Sequence, residues 1–183
     1  LDVTTESFEN VREQLTAKVR GYDEELYLDA LTGAYNRRYY ENRIRKVRGH
    51  AGVAMIDLDD FELYNDTCGH NAGDLVLNTV VGSIRGCICK TDILIRYGGG
   101  EFLLILQDVD EEIFLKKLKQ IRDMVCEAEV PGYARLRLTV SIGGVLADNE
   151  TIESAVARAD GLMHQAKNRK NMIVTEKSGI DSA

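Results

Sequence analysis

The sequence lacks a long hydrophobic run and an excess of positive charge, and each absence excludes a class of protein. In 183 residues no apolar stretch approaches the roughly 18 residues that a membrane span needs. The first residues do not have the pattern of a signal peptide. The formal net charge is −7, whereas a nucleic-acid-binding surface needs a basic stripe. The composition, 44% hydrophobic and 29% charged, therefore predicts a globular chain that binds no nucleic acid.

Cysteine spacing and the first residue bear on the cellular setting. The cysteines, Cys68, Cys87, Cys89 and Cys126, form no C-x2-C pair of the kind that zinc sites use. Reduced structural thiols in a cytoplasmic protein are the expected state. Because the chain starts at Leu1 and not at methionine, we expect a fragment of a longer protein, with an upstream sensor domain or membrane anchor outside this sequence.

Residues 1–27 predict a helical stalk. Between residues 4 and 27 there is no proline, and the first glycine is Gly21. The apolar positions follow an 11-residue repeat of about 3.67 residues per turn, which favours a nearly straight helix pair. We therefore expect a homodimer through this helix; the alternative is one amphipathic helix lying on its own domain. The apolar positions are Phe8, Val11, Leu15, Val19, Tyr22 and Leu26.

Residues 28–176 predict one α+β domain, and residues 177–183 a flexible tail. Two apolar runs joined through three glycines predict a β-hairpin. The predicted order, β-α-α-β-β-α-β-α-β, suits a mainly antiparallel five-stranded sheet flanked by helices. The predicted strands are 52–57, 92–97, 101–106, 135–146 and 172–175, and the predicted helices are 36–47, 60–67, 72–89, 110–128 and 151–169.

Five motifs in register resemble those of one family. The heptapeptide RYGGGEF is similar to the R-Y-G-G-D/E-E-F hairpin that names the GGDEF family. A segment upstream resembles the family's D-x-D-x-F-K-x-x-N-D…G-H-x-x-G-D pattern, and three further blocks match in order. A lone GGxEF would be weak evidence, whereas five ordered blocks resemble the whole domain. The blocks lie at 29–38, 57–74, 96–102, 139–143 and 159–167.

The resemblance implies a palm-like fold, shared with nucleotidyl cyclases and polymerases, and the synthesis of cyclic di-GMP from two GTP molecules. The ribose 3′-hydroxyl of one GTP attacks the α-phosphate of the other, and cations must balance the charge of the transition state. Mg²⁺ or Mn²⁺ is the implied cofactor, held by oxygen ligands. The corresponding ligands here are Asp57, the backbone of Leu58, and Glu101.

The family's nucleotide-binding positions are also filled. Consecutive glycines let the hairpin backbone approach a phosphate, and an amide with a carboxylate can read the edge of a guanine. Taken alone, these residues would also suit helix caps, turns, a packed histidine and a solvated basic helix end. The family's glycine before the second basic residue is missing. The substrate positions are Phe61, Asn65, His70, Asp74, Lys167 and Lys170; the hairpin positions are Gly98, Gly99, Gly100 and Glu101.

Three positions depart from the family's pattern. Gly100 stands where the family has an Asp or Glu that bridges the metals with the residue corresponding to Asp57. Glu62 replaces a lysine that contacts the β- and γ-phosphates, which turns attraction into repulsion worth roughly 3 kcal/mol per charge pair at ~6 Å and a dielectric of ~20. Cys89 replaces the arginine of the R-x-x-D product-inhibition site, of which only Asp92 remains.

Two functions of different class follow from these matches and departures. The first is a degenerate domain that binds nucleotide or regulates a partner, with little or no diguanylate cyclase activity. The second is an active cyclase that tolerates Gly100 by using Asp57, Asp59 and Glu101 on one metal. We expect the first, because the changes at Gly100 and Glu62 weaken the same catalytic step, and the site rather than the fold decides activity.

Overall fold

The computed structural model describes residues 2–176 and the backbone of 179–181, without the side chains of 2–6, 19, 20, 22 and 23. Within them the helices are α1 (Asp2–Tyr27), α2 (Arg37–Tyr39), α3 (Phe61–Cys68), α4 (His70–Arg85), α5 (Glu111–Glu127) and α6 (Ile152–Lys167). The strands are β1 (Arg48–Leu58), β2 (Ile93–Arg96), β3 (Glu101–Gln107), β4 (Val140–Thr151), β5 (Ile173–Thr175) and β6 (Gly179–Asp181).

The strands form one sheet in the order β2-β3-β1-β4-β5-β6. The central strand β1 pairs antiparallel with β3 and β4, whereas β4 and β5 run parallel. The predicted α+β fold with a mainly antiparallel sheet is confirmed. The predicted strand count is one too low, because β6 pairs with β5 inside the stretch predicted as a flexible tail. Residues 177, 178, 182 and 183 of that stretch lie outside the described residues.

Helices cover both faces of the sheet, and successive side chains of β1 point alternately into the core on each face. Ala54, Ile56 and Leu58 belong to the core under α4 and α5, and Val53 and Met55 to the core under α6. A strand with both faces covered is apolar at every position, which explains the unbroken run in the sequence. Burying each large aliphatic side chain contributes about 1.5–3 kcal/mol.

Helix α6 is seated directly on the sheet. The side chain of Thr151 accepts a hydrogen bond from the Ser154 amide and so caps its first turn. A Cβ on Gly143 of β4 would lie 2.1 Å from the carbonyl oxygen of Ala159, so only glycine admits this close approach. The helix ends at Lys167, beside the carboxyl end of β1.

Several predicted elements have different bounds. The strand predicted over 52–57 is longer, at Arg48–Leu58, and the helix predicted over 72–89 is α4, which ends at Arg85. The helix predicted over 36–47 is α2 followed by a π-helical segment, Tyr40–Ile44. The strand predicted to begin at Arg135 begins at Val140. Pro131 lacks an N–H group and opens a turn closed by a bridge between Val130 and Tyr133, so the chain becomes extended only afterwards.

The stalk is one helix of 26 residues, as predicted. Phe8, Val11 and Leu15 are 75%, 50% and 57% exposed, so these side chains do not lie against their own domain. Val19 and Tyr22 of the predicted repeat have side chains outside the described set. In the described part of the chain, no helix combines the length and apolarity needed to cross a membrane.

Candidate functional site

Two carboxylates meet at one end of the central strands. Asp57 at the end of β1 faces Glu101 at the start of β3 in the antiparallel register. Burial raises the pKa of both side chains, the negative charge of Asp57 raises that of Glu101 further, and a hydrogen bond from Lys167 opposes the rise at Asp57. The structure therefore brings together the two carboxylates that the sequence analysis assigned to a metal.

The hairpin between β2 and β3 closes on the backbone of Glu101. The amides of Tyr97 and Gly98 both donate to the Glu101 carbonyl, at 2.8 and 3.2 Å. The Leu58 amide donates to the Gly100 carbonyl at 2.9 Å, which ties the tip of the hairpin to the end of β1. Gly98 lies beside the carboxylate pair, since a Cβ on it would lie 2.9 Å from Oε2 of Glu101.

Gly100 has little free space beside it. The residue is buried, and a Cβ built on it would lie 3.0 Å from Cδ1 of the Phe61 ring. Such a contact is tighter than ordinary packing, so a side chain at position 100 requires the ring to give way slightly. Phe61, predicted to contact substrate, packs against the position where the family places its third carboxylate.

The carboxylate of Asp59 accepts hydrogen bonds from other groups of the protein. Its side chain is 2% exposed. One carboxylate oxygen accepts from the Ser141 hydroxyl at 2.7 Å, and the other from the Thr139 hydroxyl at 2.7 Å and the Asn171 amide at 2.9 Å. These bonds use three of the roughly four acceptor sites of a carboxylate. The alternative in which Asp59 joins Asp57 and Glu101 on one metal would have to compete with them.

The two lysines predicted to bind phosphate have different partners. Nζ of Lys167 lies 2.8 Å from Oδ2 of Asp57, inside the carboxylate site. Nζ of Lys170 lies 2.6 Å from Oδ1 of Asp60, on the exposed side. Lys170 has a φ of 60°, in the left-handed region that favours glycine. The pairing raises the pKa of Lys170 through its hydrogen bond to Asp60.

The residues present do not fit the two-metal site that the resemblance implies. Such a site needs several oxygen ligands around each Mg²⁺ or Mn²⁺. Among the described residues, no group of three or more His, Cys, Asp or Glu side chains is arranged to hold a metal ion. Asp57 and Glu101 remain, Gly100 supplies no side-chain ligand, and the ammonium group of Lys167 already contacts Asp57.

The predicted base pocket lies between α3 and α4. A Cβ on Gly73 would lie 1.8 Å from Oδ1 of Asn65, so the amide of Asn65 packs against the backbone of the first turn of α4. His70 and Asp74 stand four residues apart on that turn and are exposed. The structure therefore places Asn65 beside the turn that carries His70 and Asp74, and leaves the latter two accessible.

Glu62 is exposed in the first turn of α3, just after Asp60. A carboxylate there is favourable for the helix itself, because the first turn carries partial positive charge. The same carboxylate opposes any phosphate that approaches this helix end. The charge reversal noted in the sequence therefore lies at the exposed first turn of a helix.

Asp92, the remnant of the product-inhibition motif, has a structural role. Its two oxygens accept from the amides of Cys89, at 2.8 Å, and Gln107, at 3.2 Å. These bonds close the turn into β2 and hold β2 beside β3. Both oxygens of Asp92 are used locally, and Cys89 offers no guanidinium group, so the predicted degeneracy of this motif has a structural counterpart.

One contact missed by sequence reasoning joins the hairpin to the end of the stalk. Nη1 of Arg96 lies 3.2 Å from Oδ1 of Asp29, two residues after α1, and Nη2 lies 3.1 Å from the Gly99 carbonyl. Arg37 stacks over the ring of Tyr97 at 3.6 Å and donates to its carbonyl. Arg96 and Asp29 both stand in recognised motifs, but sequence separation gives no sign that they touch.

The comparison with known proteins now decides the family. The sequence model "Diguanylate cyclase, GGDEF domain" matches residues 26–172. The chain belongs to the GGDEF domain family. It is 34% identical over 135 residues to diguanylate cyclase A of Treponema denticola, covering 72% of this chain. It is also 34% identical over 148 residues to diguanylate cyclase DgcM of Escherichia coli K12, covering 76% of this chain. The GGDEF chain spans only 36% of the length of each of these curated relatives.

Solved structures give the same fold. The diguanylate cyclase SiaD of Pseudomonas aeruginosa, in complex with its activator SiaC, matches with a TM-score of 0.77 and 28% identity, over 96% of this chain and 71% of that one. The coiled coil and GGDEF domain of DgcB from Caulobacter crescentus, in complex with c-di-GMP, matches with a TM-score of 0.80 and 22% identity, over 96% and 98%. The chain is thus a diguanylate-cyclase-family domain of cyclic di-GMP signalling.

Proposed function

We propose that this GGDEF domain is a regulatory module with little or no diguanylate cyclase activity. The observation that carries the proposal is at Gly100: the position offers no carboxylate, and the Phe61 ring lies against the space that one would need. Asp57 and Glu101 alone then face the triphosphate. Removing even an outer partner of a metal site costs about 10–100-fold, and a lost direct ligand costs more.

Nucleotide binding is a separate matter from turnover. Asn65 beside α4 and the accessible His70 and Asp74 retain groups that suit a guanine base. Glu62 and the acidic neighbours of Asp57 oppose the phosphates. We infer weak binding of GTP, with Mg²⁺ or Mn²⁺ carried by the nucleotide's phosphates rather than by a preformed protein site.

The stalk suits a homodimer. Its exposed apolar side chains at Phe8, Val11 and Leu15 continue one stripe along α1, and the DgcB structure that this chain resembles contains a coiled coil. We propose that a longer, cytoplasmic or membrane-anchored protein delivers a signal through this helix. Motion of the paired domains would then present a surface to a protein partner.

An active cyclase remains the second candidate, because Asp57 and Glu101 keep their register and the sequence is 34% identical to cyclases. The assay that decides incubates the chain with GTP and Mg²⁺ or Mn²⁺ and follows cyclic di-GMP by mass-resolved chromatography. We expect no product above an Asp57→Asn control. Product from the native chain that Asp57→Asn abolishes would overturn the regulatory proposal.

A further inference from the structure

Lys167 places a positive charge among the site's carboxylates. Its Nζ atom lies 2.8 Å from Oδ2 of Asp57 and 3.9 Å from Oδ1 of Asp59. The side chains of Asp57 and Asp59 are 16% and 2% exposed, and that of Lys167 is 31% exposed. The contact is therefore a partly buried ion pair rather than a loose surface one, and its geometry is that of a cation serving two acids.

The backbone position of Lys167 is fixed by the fold. Helix α6 cannot slide along the sheet, because its backbone lies against Gly143 at a distance that excludes a Cβ. Met163 and Ala166 in its last turns are fully buried, at 0% and 1% exposure. The loop that follows is tied back by the hydrogen bond from the Asn171 amide to Asp59. Helix α6 therefore holds the backbone of Lys167 close to Asp57.

The carboxylates of the site require a compensating positive charge, which Lys167 supplies. Asp57, Asp59 and Glu101 contribute three carboxylates close together, and a buried carboxylate needs a compensating cation. Lys170 is engaged with Asp60. Among the residues that the structure describes, Lys167 is the only basic side chain with an ion pair to Asp57 or Asp59.

We propose that Lys167 is a built-in counter-ion that takes the place of a divalent metal ion at Asp57. The GGDEF domain then keeps its acidic site folded without metal, and a divalent cation must displace the ammonium group to bind. The inference deepens the proposed function and rests on it in one respect, since a site that no longer works through metals tolerates a fixed cation in their place.

The test measures thermal unfolding of the 183-residue chain without nucleotide, in EDTA and in 5 mM Mn²⁺. A ligand that binds only the folded state raises the unfolding midpoint, by an amount that grows with the logarithm of its concentration relative to its dissociation constant. We expect Mn²⁺ to move the native midpoint by less than about 1 °C. Lys167→Met, which keeps the apolar stem and removes the charge, should unfold at lower temperature in EDTA and gain roughly 4 °C or more from Mn²⁺.

Lys170→Met is the matched control, because it removes the same charge from the exposed pair with Asp60. It should respond to Mn²⁺ as the native chain does. Equal stabilisation of the native chain and Lys167→Met by Mn²⁺ would overturn the inference. So would the absence of any Mn²⁺ effect on a folded Lys167→Met chain.

If Lys167→Met does not fold, a nuclear magnetic resonance measurement on the native chain still tests the inference. The backbone amide signals of Leu58 and Gly100 flank Asp57 across the β1–hairpin contact. Paramagnetic Mn²⁺ at sub-millimolar concentration should leave them sharp, and their selective broadening would show that the metal reaches Asp57. Because no nucleotide is present, formation of cyclic di-GMP in the separate assay would overturn the proposed function and leave this result unaffected.

Discussion

At the scale of single residues, the departures at Gly100 and Glu62 both adjoin Phe61, the first by contact and the second along the chain. Gly100 leaves room that the Phe61 ring takes up, and Lys167 pairs with the carboxylate that would otherwise share a metal with position 100. Glu62, one residue after Phe61, reverses the charge that meets a phosphate. We propose that together they weaken the binding of divalent cations and phosphates at this site.

Charge reversal at Glu62 is predicted to be the main obstacle to nucleotide affinity. Glu62→Lys should strengthen binding of a fluorescent GTP analogue at least about tenfold, equal to about 1.4 kcal/mol, because repulsion becomes attraction. Glu112→Lys is the matched control: Glu112 is also exposed in the first turn of a helix, α5, which begins near the start of β1. Equal gains from both variants would attribute the effect to net charge alone.

The buried carboxylate of Asp59 is predicted to stabilise the fold rather than to bind a ligand. Asp59→Ala leaves the Thr139, Ser141 and Asn171 donors unsatisfied, so the free energy of unfolding in urea should fall by about 2–4 kcal/mol. Asp60→Asn removes the neighbouring exposed ion pair with Lys170 and should cost less than about 1 kcal/mol. A loss at Asp59 no larger than that at Asp60 would contradict this role.

At the scale of elements, the sequence predicts well what depends on pattern. The meeting of Asp57 with Glu101 follows from their places at the ends of apolar runs that pair as neighbours. The seat of α6 on Gly143 depends on a close approach between distant segments, so the partner of Lys167 was not predicted. The contact between Arg96 and Asp29 spans 67 residues and was missed for the same reason.

The exposed apolar stripe of the stalk helix α1 predicts self-association of the chain. Leu15→Glu places charge in the middle of the stripe, so by sedimentation the chain should change from dimer to monomer at tens of micromolar. Gln14→Glu adds the same charge one position away and should remain dimeric. A native chain that is monomeric at these concentrations would remove the basis for the stalk dimer.

At the scale of the whole molecule, the fold is that of the family, whereas the proposed activity differs from that of the family's cyclases. The β2-β3-β1-β4-β5 sheet with helices on both faces is that of the GGDEF family and could be predicted from five ordered motifs. The sixth strand could not, because Gly179–Asp181 carries no apolar run and pairs only because β5 offers a free edge. The family fold is retained, and we propose that the chemistry of its site has changed.

The central claim is that two side chains silence an otherwise sound domain. The most direct measurement is the rate of cyclic di-GMP formation by Gly100→Asp combined with Glu62→Lys, compared with the native chain under identical GTP and Mg²⁺. The account predicts product from the double variant and none from the native chain. Equal product from both would contradict it, and so would a folded double variant that binds GTP yet forms none.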